Sequence, residues 1–267
     1  MKGTKEMLNG RLLPKSLAGL AMVCLLAVSA NAADKPSIDP RADELLKRSS
    51  DYLAAAKFSS VNAEIWQDAT LSSGGQVEAG RSVDLQLRRP DRLHTEVQST
   101  RHSRAMWYDG KNLTLLNRAQ NLYGTTSAPG SLDETLDFAT ERLGMVMPLE
   151  DLLVSNPYKS AIDKVTSGTL IGPVKVLGVS CQHLAFTQPD IDWQIWIEDG
   201  PIPVPRKIVI TYKDEEGSPQ YTAILSKWDF ETKLPDFVFH FEPPAGASKI
   251  PVTDVQAGMH PAKENKP

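Results

Sequence analysis

The alternation of apolar and polar positions is clearest over residues 178–242. Short runs rich in β-branched and aromatic residues are separated there by gaps of Gly, Pro and Asp. Five strands are predicted, over 179–187, 193–198, 206–213, 221–230 and 237–241. The gaps Gln188-Pro189-Asp190, Asp199-Gly200-Pro201, Glu216-Gly217-Ser218-Pro219 and Lys233-Leu234-Pro235-Asp236 have turn chemistry. They are too short for the crossover that parallel pairing needs, so the run reads as an antiparallel meander. Ile208, Ile210 and Tyr212 share one face, while Lys207, Val209, Thr211 and Lys213 share the other. Phe237, Phe239 and Phe241 alternate with Val238, His240 and Glu242 in the same way. Trp193-Gln194-Ile195-Trp196-Ile197 is apolar on both faces, so its second side needs a helix, a loop or a bound apolar molecule.

The same period runs through the preceding chain. Strands are predicted over 61–71, 76–88, 93–100, 105–108, 113–117 and 121–125, with Ser72-Ser73-Gly74-Gly75 and Asp109-Gly110 as hairpin turns. Val83, Leu85 and Leu87 alternate with Asp84, Gln86 and Arg88. This makes about eleven strands. Helical spacing appears at three places. Ala42, Leu45, Leu46, Ser49, Leu53 and Ala56 form one stripe over 41–57, with Asp39 as cap and Pro40 in the first turn. Ser131 and Glu134 make a capping box ahead of Leu132, Leu136, Ala139 and Leu143, with Gly144 where the helix should end. Pro148 opens a short helix with Leu149, Leu152 and Leu153. Met145-Val146-Met147 between them is an apolar link that should lie against an apolar surface. Residues 159–169 read only as a connection.

The amino-terminal end changes the picture. Residues 1–16 are basic through Lys2, Lys5, Arg11 and Lys15, residues 17–30 are apolar, and Ala30-Asn31-Ala32 follows. That order predicts a secretory signal peptide cleaved near Ala32 and a periplasmic protein with no stable membrane span. Cys24 sits inside the apolar run and is followed by Leu25-Leu26, so it is not read as a lipid attachment site. The predicted organisation is a leader over 1–32, one domain over 33–252 and a polar, disordered tail over 253–267. The chain has 29 basic and 33 acidic residues; setting aside the leader's four basic and one acidic leaves a net charge of −7. Nucleic acid is therefore not an expected partner. Cys181 is the one cysteine outside the leader, so no internal disulfide is expected, and the protein reads as a monomer held by packing.

No catalytic constellation stands out. There is no nucleophile elbow, phosphate-binding glycine loop or His-Glu-x-x-His, and the five histidines form no metal-ligand spacing. No cofactor, metal or enzymatic activity is expected. Asp190, Asp192, Glu198 and Asp199 bracket a hairpin where solvated acids belong. Cys181 reads as a small buried residue, with His183 two positions away on the same face as a minor route to a reactive thiol. All five tryptophans fall on predicted strands, which fits either a packed core or an apolar cavity between a curved sheet and a helical cover. One sheet face should collect Val83, Leu85, Leu87, Trp193, Ile195, Ile197, Ile208, Ile210 and Tyr212. The lid should come from residues 131–154, through Leu132, Leu136, Met145, Met147 and Leu152.

Several stretches carry a family resemblance. They are Tyr108-Asp109-Gly110-Lys111 with Leu113-Thr114-Leu115, Asn121-Leu122-Tyr123, the capped helix from Ser131, Leu149-Glu150-Asp151-Leu152-Leu153, Cys181 to Phe186, Asp192 to Glu198 and Pro205-Arg206-Lys207. Together they resemble an uncharacterised family of predicted periplasmic proteins, over about residues 40–246. That family is similar in turn to the LolA/LolB-type lipoprotein carriers, whose domain end is resembled by Phe237 to Gly246. The resemblance implies an unclosed antiparallel β-barrel of about eleven strands with covering helices, mainly β in class, that binds an acyl chain on its apolar concave face. It also implies a cavity arginine tying sheet to lid, which no motif here places. The expected function is that of a non-catalytic periplasmic carrier for an apolar or acylated ligand. The alternative is an envelope sensor or scaffold that holds a protein partner.

Overall fold

The computed structural model describes residues 36–257 except Ser72, Arg101 and Val146. The predicted leader and the end of the predicted tail lie outside the described residues. The strands are β1 (Ser37–Ile38), β2 (Phe58–Thr70), β3 (Gln76–Arg88), β4 (Arg92–Ser99), β5 (Ser103–Tyr108), β6 (Asn112–Asn117), β7 (Leu122–Ser127), β8 (Ser167–Val176), β9 (Val179–Thr187), β10 (Ile191–Glu198), β11 (Pro205–Tyr212), β12 (Gln220–Asp229) and β13 (Ser248–Lys249). The helices are α1 (Pro40–Ala55), α2 (Leu132–Leu143), α3 (Glu150–Leu153), α4 (Pro157–Ile162) and α5 (Val252–Ala257). All thirteen strands form one sheet in the order β1-β8-β9-β10-β11-β12-β2-β3-β4-β5-β6-β7-β13. It is the unclosed, mainly β architecture expected from the strand pattern. Pairing is antiparallel except at the two ends, where β1 lies parallel to β8 and β13 parallel to β7. No helix among the described residues is long and apolar enough to cross a membrane.

Local chemistry sets the helix limits. Asp39 Oδ1 accepts the Arg41 backbone N–H at 2.9 Å, and Pro40 occupies the first turn of α1, where its missing N–H costs nothing. Ala42, Leu46, Ser49, Ser50 and Leu53 are its buried stripe. At the start of α2 Ser131 Oγ accepts the Glu134 N–H at 3.3 Å, and the Glu134 carboxylate returns to the serine hydroxyl, which donates to Oε2 at 2.8 Å. Gly144, at φ 64°, ends the helix in the left-handed conformation.

Cross-strand register brings apolar residues of distant strands into rows. Leu184, Ile195, Ile208, Ala223 and Ile65 lie opposite one another in turn, and Phe186, Trp193, Ile210 and Tyr221 make the next row. Val83, Leu85 and Leu87 continue the same face on β3. This is the inner face, covered by helices. One buried cluster joins Val83, Leu85, Leu87, Val97, Met106 and Leu115 with Leu132 and Leu136 of α2, Met145, Met147 and Val255 of α5. A second joins Ala42 and Leu46 of α1 with Leu184, Phe186, Trp193, Ile195 and Ile197.

Three expectations are corrected. Residues 237–241 form no strand: Asp236–Phe239 is a 3-10 turn, Phe239 is buried, and Phe237 is 77% exposed. The segment crosses the outer face instead. Arg88 Nη1 donates to the Leu234 carbonyl at 3.0 Å, and the Phe241 ring sits 5.0 Å from both Trp107 and Tyr123. These contacts, with Pro235, Pro243 and Pro244 lacking N–H groups, outweigh the alternation of phenylalanines. The connection read over 159–169 holds α4 and the start of β8, a full-length strand that the period of two did not reveal because Gly172 and Pro173 interrupt it. The predicted tail is ordered through residue 257 as part of α5, with Val255 buried.

Gly124 on β7 makes that docking possible. A Cβ there would stand 2.6 Å from the Val252 Cα and 2.8 Å from its nitrogen. Gly124→Val is expected to unseat α5 and lower unfolding stability by about 1–3 kcal/mol in urea titration. An unchanged midpoint and slope would mean that α5 does not depend on that gap.

Candidate functional site

Helices do not fill the whole inner face. Between β10–β11 and the layer made by α1, α3 and α4 lies an open cavity of about 440 Å³. Its floor is Trp193, Ile195, Ile208 and Ile210, which face each other through the β10–β11 register. Leu46, Ser49, Ser50 and Leu53 of α1 form one wall, and Asp151, Leu152, Pro157, Ser160 and Ala161 form the other. Lys159 and Lys164 stand at the rim and are exposed. The volume falls in the range of small-molecule sites, and the wall is apolar with few polar groups. Two of those groups are buried without a hydrogen-bonding partner among the described residues, Ser49 Oγ and Trp193 Nε1. Such atoms are costly to leave unpaired in an apolar setting.

The cover is tied in place by polar contacts from separate segments. Tyr158 OH donates to Asp43 Oδ1 at 2.6 Å and joins α4 to α1; this bond pushes the phenol pKa up to about 12, so the hydroxyl keeps its proton at neutral pH. Ser160 Oγ donates to Asp151 Oδ1 at 2.7 Å and joins α4 to α3. Arg89, just past the end of β3, donates from Nη1 to the Leu153 carbonyl at 2.8 Å and so links the sheet to α3. Its Nε and Nη2 are buried and unpartnered, and burial draws its pKa below the ordinary value against the opposing charge of Asp133.

Of the residues expected at the site, the structure brings Trp193, Ile195, Ile208 and Ile210 to the cavity and adds Leu152 from the expected lid. Ile197 is fully buried beneath α1, and Tyr212 lies farther along the same face. Val83, Leu85 and Leu87 share that face but are packed with Leu132, Leu136, Met145 and Met147 in the filled half. Sequence reasoning missed the walls from α1 and α4. Ser49, a polar residue inside an apolar stripe, was the available signal.

The other candidates are accounted for structurally. Asp192 pairs with Lys213 at 2.9 Å and Glu198 with Arg206 at 2.5 Å. Cys181 is buried on the outer face with Trp196 and Val209, where burial pushes its thiol pKa up rather than favouring a thiolate. His183 stacks on Trp196 at 4.1 Å and its Nε2 lies 2.9 Å from Gln194 Oε1. Among the described residues no three His, Cys, Asp or Glu side chains stand together as a metal site.

A family model described as "Predicted periplasmic protein (DUF2092)" matches residues 42–253. No curated protein matches the chain. Among solved structures, lipoprotein LppX of Mycobacterium tuberculosis is similar at 16% identity, TM-score 0.45, covering 73% of this chain and 98% of its own. A LolA superfamily protein from Nitrosomonas europaea is similar at 13% identity, TM-score 0.38, covering 75% and 97%. The MucA/MucB complex of Pseudomonas aeruginosa includes a chain similar at 11% identity, TM-score 0.41, covering 76% and 61%.

Arg89→Met tests the tie between sheet and cover. It removes the bond to Leu153 together with two unsatisfied donors, so global stability should change by no more than about 1 kcal/mol. Amide exchange in α3 should quicken. Unchanged protection in α3 would show that the bond does not hold the cover.

Proposed function

The chain belongs to this family of predicted periplasmic proteins, and we propose that it is a periplasmic carrier that holds an apolar or acylated ligand in the cavity between β10–β11 and the α1, α3 and α4 layer. The observation that carries the reading is the contrast between the two halves of the inner face. One half is packed solid, while over Trp193, Ile195, Ile208 and Ile210 the sheet keeps about 440 Å³ open above an apolar floor. Filling that space with an acyl chain buries methylenes at about 0.8 kcal/mol each and needs no chemistry from the protein. The LolA superfamily and lipoprotein relatives are in keeping with this reading.

A second reading, partner binding by the half-barrel, draws on β8. Beyond its two residues beside β1, this strand pairs with no further strand on that side among the described residues, and Ile171 and Leu177 nearby are 58% and 74% exposed.

Ile210→Trp separates the readings. Ile210 is only partly buried and lines the cavity, so the larger ring should occupy the void and leave the sheet intact. The wild type should bind a fluorescent fatty acyl probe. The variant should bind at least about tenfold more weakly, a loss of about 1.4 kcal/mol, with an unchanged circular dichroism spectrum. A wild type that binds no probe, or a variant that binds it equally well, would remove the carrier reading and leave partner binding ahead.

A further inference from the structure

Where the apolar rows of the inner face end, two arginines take their place. On β3 the inner-facing series runs Leu87, Leu85, Val83 and then Arg81, opposite Ile65 on one side and Ser99 on the other. On β5 it runs Tyr108, Met106 and then Arg104, opposite Val97 and Asn117. The pleat therefore turns both side chains toward the helix-covered side. Both are half-buried. Elsewhere Arg41, Arg88, Arg92, Arg118 and Arg206 each have a carboxylate partner, Arg48 and Arg142 are exposed, and Arg89 is held by the Leu153 carbonyl. Among the described residues neither Arg81 nor Arg104 has one. Arg81 finds only neutral groups: its Nη1 lies 3.4 Å from Gln67 Oε1, and its guanidinium sits 5.7 Å from the Tyr221 ring centre. The Arg104 guanidinium hydrogen-bonds to no described residue. Burial draws the Arg104 pKa down, and the charge of Arg81 adds to that effect.

Two like charges without a carboxylate partner on an otherwise apolar face are unfavourable unless an anion joins them. Neither arginine lines the cavity, but Arg81 is one residue removed from its floor. Ile210 in the floor lies directly opposite Tyr221, and Tyr221 lies under Arg81. From β11 to β3 is three strand spacings, about 14 Å, and to β5 five, about 24 Å, so a head group held between the two arginines lies about 19 Å from Ile210, within the reach of a long extended acyl chain. The nearby cavity-wall acid, Asp151, is engaged by Ser160.

We propose that Arg81 and Arg104 clamp the head group of an anionic acyl amphiphile whose chain lies in the cavity. The inference rests on the carrier reading and adds a charge to the ligand. The guanidinium forks suit a carboxylate or a phosphate, the chemistry shared by a fatty acid and an acidic phospholipid.

The test uses palmitate, palmitoyl lysophosphatidylglycerol, the neutral palmityl alcohol and inorganic phosphate as ligands. Wild type is compared with the Arg81→Gln/Arg104→Gln double variant and with Lys159→Gln/Lys164→Gln, which alters the exposed charges at the cavity rim. Wild type should bind at least one of the two anionic amphiphiles about tenfold or more tighter than the alcohol, and which one shows whether the charge is carboxylate or phosphate. The arginine variant should lose that preference and keep its affinity for the alcohol; the lysine variant should keep both. Without ligand, the arginine variant should melt at or above the wild-type temperature, because an unpaired charge pair has gone. Retention of the preference in the arginine variant, its loss in the lysine variant, an equal loss of alcohol binding, or a lower melting temperature would each overturn the clamp. Tight binding of inorganic phosphate alone would overturn the amphiphile. If wild type binds the alcohol with no preference for the anions, the carrier stands and the clamp falls; if it binds none of the amphiphiles, both fall.

Discussion

The pairing of β2 with β12 is the constraint on which the rest depends. Strands β2 to β7 form one antiparallel meander and β8 to β12 another, and only this seam makes them a single sheet. At the seam Ile65 and Ala223 are fully buried and Leu225 nearly so, so its inner side is as dry as any part of the molecule. The residues it joins are far apart in the sequence, and the loop entropy of bringing them together is offset only once the inner rows are complete. Near its end the register shifts between Ser226 and Asp229, where Lys227 adopts φ 52°. The irregularity leaves Lys227 and Trp228 out of the register before the ladder resumes at Asp229 and Ser60.

The seam also explains why the two halves differ. On the β3–β6 side, α2 and the methionine link bring Leu132, Leu136, Met145 and Met147 down onto the sheet, and methionine adapts to the gaps between branched side chains. On the β10–β11 side the cover is assembled from three separate pieces. Helix α1 comes between β1 and β2, while α3 and α4 are only 4 and 6 residues long. Short helices held by Tyr158–Asp43 and Ser160–Asp151 bonds bury little apolar surface, so they span the floor without filling it.

Much of the fold was legible because its signals were local. The capping box at Ser131, the turn at Asp109-Gly110 and the alternation around Val83 and Ile208 all act within a few residues and appear as read. The number of long strands also came out at eleven, but by exchange: residues 237–241 were counted and β8 was not. The three phenylalanines had a strand's period, yet aromatic contacts with Trp107 and Tyr123 took them onto the outer face. Strand β8 was hidden by Gly172 and Pro173, residues that mark an edge as readily as a loop. The site was legible as a face and not as a cavity. Period two places Val83 and Ile210 on the same side, but only the path of the helices decides which of them is covered by protein.

The edges of the sheet have a consequence for how copies of this chain behave together. Each end is closed by a parallel strand only two residues long, β1 on one side and β13 on the other. Past β1, the exposed length of β8 carries a register shift between Leu170 and Gly172, a φ of 128° at Gly172 and a proline that has no N–H to offer. Two copies meeting edge to edge at β8 would each bring this kink and missing donor, so no continuous ladder joins them. At this edge the sheet therefore offers its own copies no regular template for extension, which works against fibril-like stacking.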